Sequence, residues 1–146
     1  MSPLQITEPV IQIIGIKHAI LKEPYDCGNL IIPEGFHFDG ASIPRFCWTI
    51  IGVEPFGRIV GAAILHDLCY CNLGNVRLKD GTWVTISERE ADETFYERAK
   101  QCELNWLQSR LVRRAVIWFG DYDVKGKSKV TKWNQDWLKR YNNNSI

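Results

Sequence analysis

A small antiparallel sheet packed on a three-helix core, with a β-hairpin inserted between the first and second long helices, is the α+β arrangement that three features of the chain predict. Short Ile- and Val-rich runs broken by turn residues fill the first third, as strands do. Asp80-Gly81 stands between alternating apolar residues, a strong hairpin signal. Longer segments on both sides of it carry apolar residues at helical spacing. The 146 residues suffice for one hydrophobic core, and a single domain is expected over residues 1–146.

Val10 to Leu21, interrupted by Gly15, reads as one or two strands, and Asn29 to Ile32 as another. Pro33-Glu34-Gly35 then turns the chain, with proline at the second position of a type I turn and glycine at the fourth. After Phe36 to Phe38, Asp39-Gly40-Ala41-Ser42 makes a polar turn. Pro44 opens a short helix through Ile51, which Gly52 closes. The first long helix begins at Pro55 or Phe56 and runs to about Cys71. Ile59, Val60, Ala62, Ile64, Leu65 and Leu68 make it apolar nearly all round, so it is expected to be the buried central helix. The hairpin covers Val76 to Ile86. Ser87 with Glu90 is a capping box that starts a second helix, to about Glu103. A third covers Asn105 to Phe119 with Leu107, Leu111, Ala115 and Trp118 on one face, and a short fourth covers Lys132 to Tyr141.

Composition excludes several classes. Hydrophobic residues at 45% and charged residues at 24% are ordinary for a globular protein, not a disordered or fibrous one. A net charge of +1 gives no overall pull toward nucleic acid or membrane. From Lys125 onward, however, six basic residues face the single acid Asp136. No apolar run approaches the roughly 18 residues of a membrane span, and the first ten residues lack the basic start and apolar core of a signal peptide. Five cysteines with no CxxC pair read as reduced, mostly buried thiols of a protein made inside a cell. Cys69 and Cys71 are too close in sequence for an ordinary disulfide.

Candidate chemistry sits on the central helix. Ala63, His66, Asp67 and Tyr70 fall at i, i+3, i+4 and i+7, its one polar face. On the second helix Phe95 and Ala99 mark the inward stripe and carry Asp92 with them, so that Asp92 is expected to be buried and in need of a partner. His66 and Tyr70 are the natural partners. A histidine held by a buried aspartate is an oriented general base, which makes His66, Asp92 and Tyr70 the catalytic candidates. Asp67 is expected to face a cleft, free to bind a hard cation together with oxygens from a turn.

The string His66-Asp67-Leu68-Cys69-Tyr70, followed by Asp92-Glu93-Thr94-Phe95, resembles the active site of the calcium-dependent secreted phospholipases of the A-two type. That resemblance implies that His66 activates water, Asp67 ligates calcium, and Asp92 with Tyr70 orients His66. Asp39-Gly40-Ala41-Ser42 resembles the metal-feeding loop of the bacterial members, which adds Asp39 and Gly40 to the implied metal set. The chain departs from most members in lacking their disulfides and in placing a hairpin between the two helices. A longer pattern is similar to a phage-encoded group known only as domain-of-unknown-function family 1353. It runs through Pro33-x-Gly35-Phe36, Asp39-Gly40-Ala41-Ser42-Ile43-Pro44-Arg45, Ala62-Ala63-Ile64-Leu65-His66-Asp67, Tyr70, Ala91-Asp92-x-x-Phe95 and Phe119-Gly120. This likeness covers roughly residues 28–120 and leaves a basic, aromatic tail over 121–146. It implies a phage or prophage origin, synthesis in the host cytoplasm and a candidate place in the virion, but no activity.

Two functions fit these residues. One is a metal-assisted hydrolase of an ester such as a phospholipid, with calcium as the first candidate cation and zinc the second, and with Arg45 and Ser42 contacting the substrate. The other is a non-enzymatic virion component of tail or head, or a host-interaction factor, in which His66, Asp67 and Asp92 form a packing network. The corresponding partners are membrane lipid or other phage structural proteins; nucleic acid is not expected. His18 and His37 read as structural or exposed, although a metal phosphohydrolase would recruit His37 as a further ligand. Trp133, Trp137 and Tyr141, with Lys132, Lys139 and Arg140, form a stripe that would lie in a membrane interface or stack on nucleic acid, or else a face packed on the domain, and packing is favoured. An open cleft over His66 containing Asp67 favours the enzyme, and a sealed His66 favours the structural role.

Overall fold

The computed structural model describes residues 8–15, 18–39, 60–101 (without the side chains of 99–101) and 122–146, together with positions 106, 107, 110 and 114. The fold is mixed α+β, but its strands form three small antiparallel sheets instead of one. In the first, β1 (Ile11–Gly15) pairs with β2 (His18–Leu21), and β2 pairs with β5 (His37–Phe38), with Ile11 opposite Leu21 and Ala19 opposite Phe38. The second joins β3 (Tyr25–Asp26) to β4 (Ile31–Ile32), and the third joins β6 (Asn75–Arg77) to β7 (Trp83–Thr85). The turns explain the division. Gly28 and Gly35 take φ of 102° and 91°, and Pro24 and Pro33 have no N–H to donate, so no ladder between Leu21 and Phe38 runs far. At Gly35 the left-handed φ is what the third residue of a type II turn needs, which corrects the type I assignment. Alternation survives within β2, where Ala19 and Leu21 are buried and His18 and Ile20 are half-buried.

The central helix α1 (Val60–Cys71) has ten of its 12 residues buried. Beyond it, Gly74 at φ 82° lets the chain pass against Ile86; a Cβ there would lie 1.9 Å from the Ile86 carbonyl oxygen. The Gly74 carbonyl also accepts the Ile86 N–H at 2.8 Å. Asp80-Gly81 lies at the tip between β6 and β7, where Asp80 Oδ1 accepts the Thr82 N–H at 2.8 Å. Helix α2 (Glu88–Gln101) starts as the sequence predicts, with Ser87 Oγ accepting the Glu90 N–H at 3.2 Å, and turns Ala91 and Phe95 inward against α1. Of the predicted third helix, residues 106, 107, 110 and 114 are helical, and Leu107 is exposed. The short helix predicted from Pro44 lies outside the described residues.

The chain end holds two helices where one was expected: α3 (Lys129–Trp133) and α4 (Gln135–Asn142). Ser128 caps the first by accepting the Thr131 N–H at 3.1 Å, so that it begins at Lys129, three residues before the predicted start. Asn134 separates them because its fully buried side chain serves a strand instead. Its Oδ1 accepts the His37 N–H at 2.7 Å, and its Nδ2 donates to the His37 carbonyl at 2.7 Å and to Val130 O at 2.9 Å. The aromatic stripe of the tail belongs to the core. Trp137 stacks on Tyr141 at 4.8 Å and donates to Glu34 O, while Tyr141 O–H accepts the Arg77 N–H. Trp133 lies flat on the His18 ring at 3.5 Å.

Removing the Asn134 amide strands both backbone groups of His37 in the interior. Asn134→Ala should therefore lower stability by about 3 kcal/mol, the upper end of the cost of an unsatisfied buried group, in urea denaturation. A loss indistinguishable from that of an exposed asparagine would show that the clamp contributes nothing.

His18 Nε2 and His37 Nδ1 lie 2.8 Å apart, a contact that one neutral ring must accept. Burial and the Lys129 charge push His18 below the usual histidine range, and burial and His18 do the same to His37. With folded values depressed, the pair's contribution is present above about pH 6.5 and is lost as pH falls through the lower folded values. In chelator, wild type should lose melting temperature relative to His37→Gln as pH is lowered from about 7 to 5. Parallel curves for the two proteins would remove the pair as a pH-sensitive element.

Candidate functional site

Two helix faces meet at the site. His66, Asp67 and Tyr70 come from α1, and Asp92 comes from the first turns of α2. His66 Nε2 stands 2.9 Å from Asp92 Oδ1, and the same oxygen accepts the Tyr70 hydroxyl at 2.7 Å. Since a carboxylate oxygen only accepts, Nε2 carries the proton and the lone pair of a neutral His66 falls on Nδ1. Tyr70 and Phe95 flank the imidazole with ring centroids at 4.1 and 5.1 Å, so the ring is gripped on two sides. Burial and the Asp92 carboxylate raise the Tyr70 hydroxyl well beyond its ordinary range, keeping it a proton donor.

The burial of the two aspartates is the reverse of what the sequence suggests. Asp67, expected in an open cleft, is 4% exposed, whereas Asp92, expected to be sealed, has a side chain 15% exposed. The chain around Asp39 lies over Asp67, and the Asp39 N–H donates to Asp67 Oδ2 at 3.2 Å. Burial, and then the negative charge of Asp39, push the Asp67 carboxyl well above the usual carboxylate range. Asp39 and Asp67 thus form a carboxylate pair that favours one shared proton when no cation is present.

His66 and Asp67 border different hollows. Beside His66, among Ala62, Leu65, Phe95 and their neighbours, about 10 Å³ is open, the lower limit for a single water. Asp67 borders a cleft of about 110 Å³ with Asp39, Tyr70 and Asp123. Tyr122 and Asp123 are site residues that the sequence reading missed. Tyr122 meets Tyr70 edge-on at 5.1 Å and donates to Ile86 O at 2.6 Å, and the Asp123 N–H donates to Tyr70 O at 3.1 Å. Burial opposes ionisation of Asp123, yet hydrogen bonds from Thr131, Ser128 and Lys127 hold it at about 2. Those bonds occupy its oxygens and make it a loop staple more than a ligand. No periodicity marks Tyr122 and Asp123; they follow Gly120, where the recognised pattern ends.

Gly40, Ser42 and Arg45 lie outside the described residues. Among the described residues, no group of three or more His, Cys, Asp or Glu side chains stands where it could hold a metal ion. His37, a ligand in the phosphohydrolase alternative, is engaged with His18. Cys27, Cys69 and Cys71 are free and buried, and burial pushes the Cys27 and Cys69 thiols up to about 12, far from a nucleophilic thiolate. Cys47 and Cys102 fall outside the description.

A family model described as "Protein of unknown function (DUF1353)" matches residues 18–120. No curated protein and no solved structure matches the chain.

The two aspartates should respond in opposite ways to substitution. Asp92→Ala strands the His66 and Tyr70 donors and should cost roughly 1–3 kcal/mol. Asp67→Asn, in chelator, should be neutral or stabilising. A carboxyl whose folded value is raised loses stability as pH climbs from its ordinary value, near about 4, through the raised one. The gain of Asp67→Asn over wild type should accordingly open with rising pH in thermal melts. A gain that shrinks with rising pH, or equal losses for both variants, would refute the assignment.

Proposed function

This chain belongs to the DUF1353 family, and we propose that it is a phage-encoded, metal-assisted hydrolase acting on an ester such as a phospholipid, with His66 as the general base. One observation carries this reading: a single Asp92 oxygen takes hydrogen bonds from both His66 Nε2 and Tyr70. That arrangement fixes the tautomer, directs the basic Nδ1 away from Asp92 and stabilises the imidazolium formed when water gives up its proton. Tyr70 fixes the carboxylate, so Asp92 acts as an orienting residue.

The Asp39–Asp67 pair fits a divalent cation by the chemistry of its donors. Both offer hard carboxylate oxygens, which suits calcium; Cys71 also lines the cleft, but burial pushes its thiol up, away from the thiolate that zinc favours. A bound cation there would neutralise the pair and polarise an ester carbonyl. Gly40, with Ser42 and Arg45 as substrate contacts, completes the proposal from the sequence side.

A second reading draws on a different observation. His66 is 3% exposed beside a hollow no larger than one water, which supports a non-enzymatic virion or host-interaction protein that uses the network for packing.

Turnover separates them. Purified protein with calcium should hydrolyse a short-chain phospholipid. His66→Gln should lower the rate by about 10²-fold or more with the melting temperature little changed, and Asp67→Asn should chiefly raise the calcium concentration required. Absence of turnover with calcium, magnesium or zinc, together with stoichiometric amounts of the protein in purified virions, would establish the packing role instead.

A further inference from the structure

The aromatic stripe of the chain end packs on the domain, as the sequence favours: Trp137 is 3% and Tyr141 0% exposed, and Trp133 is half-buried. A different face is open. Trp106 and Leu107 are 70% and 58% exposed, and Arg110 and Arg114 are exposed as well. All four are helical, and at about 100° per residue their positions fall within one arc of roughly 100°. The Arg110 guanidinium lies 4.9 Å from the Trp106 ring centroid, which keeps cation and indole side by side. Of the tryptophans described, Trp83 and Trp133 are half-buried and Trp137 is buried, so Trp106 alone among them is exposed. Between Glu103 and Asp121 the segment contains Arg110, Arg113 and Arg114 and no acidic residue, an excess of positive charge.

We propose that the Trp106–Leu107–Arg110–Arg114 stripe docks the protein on an anionic lipid surface. The indole and leucine enter the headgroup boundary while the arginines pair with lipid phosphate and attract the negatively charged layer. Exposed leucine beside the tryptophan favours lipid over single-stranded nucleic acid, whose bases stack on aromatic rings but give an aliphatic side chain nothing to enter. The stripe is independent of His66, so docking does not rest on the hydrolase reading.

Co-sedimentation of the full chain with vesicles tests this, comparing pure phosphatidylcholine with a mixture containing phosphatidylglycerol. Wild type should partition onto the anionic vesicles and be released by salt. Arg110→Glu with Arg114→Glu should weaken partitioning at least about tenfold, and Trp106→Ala should weaken it at low salt while keeping the preference for anionic vesicles. His66→Gln should bind as wild type, which keeps loss of docking distinct from loss of turnover. Circular dichroism guards against misfolding, and Lys79→Glu, an exposed charge reversal elsewhere, should leave binding intact. Equal binding to both vesicle types, no effect of the stripe variants, or displacement from vesicles by a single-stranded oligonucleotide would overturn the proposal.

Discussion

A helix almost wholly enclosed by the protein carries a histidine and an aspartate into the interior, and the surrounding elements are disposed to answer them. Taking such groups out of water is costly unless each finds a partner. Helix α2 supplies Asp92 to His66 and Tyr70. The chain just after β5 brings the Asp39 N–H to Asp67, and the same short strand is clamped from its other side by Asn134. The loop at Tyr122 and Asp123 closes over the Tyr70 ring and carbonyl. Polar contacts thus join sheet, helices and loop at one place.

The two halves of this centre differ in kind. His66 and Tyr70 both donate to one Asp92 oxygen, which leaves the lone pair of a neutral His66 on Nδ1. Asp39 beside Asp67 is different, because burial and the neighbouring charge oppose ionisation of Asp67 and cost stability at neutral pH. A bound cation would turn that cost into affinity, which supports the proposed chemistry alongside the Asp92 contact.

Much of the site was legible in the sequence because helical periodicity is a short-range signal. The spacing of His66, Asp67 and Tyr70 sets their common face, and Ser87 with Phe95 sets the start and orientation of α2, so the His66–Asp92 contact follows. The relative burial of Asp67 and Asp92 did not follow, because it depends on where Asp39 lies, 28 positions earlier in the chain. The division into three sheets was hidden for a related reason: strands of two residues carry too few side chains to display a period. Asn134 gave no warning at all. An asparagine inside a helical pattern looks like a solvated residue until the strand it binds, 97 positions away, is known.

Trp137 and Tyr141 lie beyond the segment that the family model matches, yet both belong to the same core cluster as Phe36, Ile64 and Leu68. The recognisable part of the sequence and the cooperative folding unit therefore have different borders. On a ribosome, β2, β5 and α1 emerge well before the residues that cover Phe36 and clamp His37. The native cover of Phe36 by Trp137 therefore cannot form until α4 has left the exit tunnel.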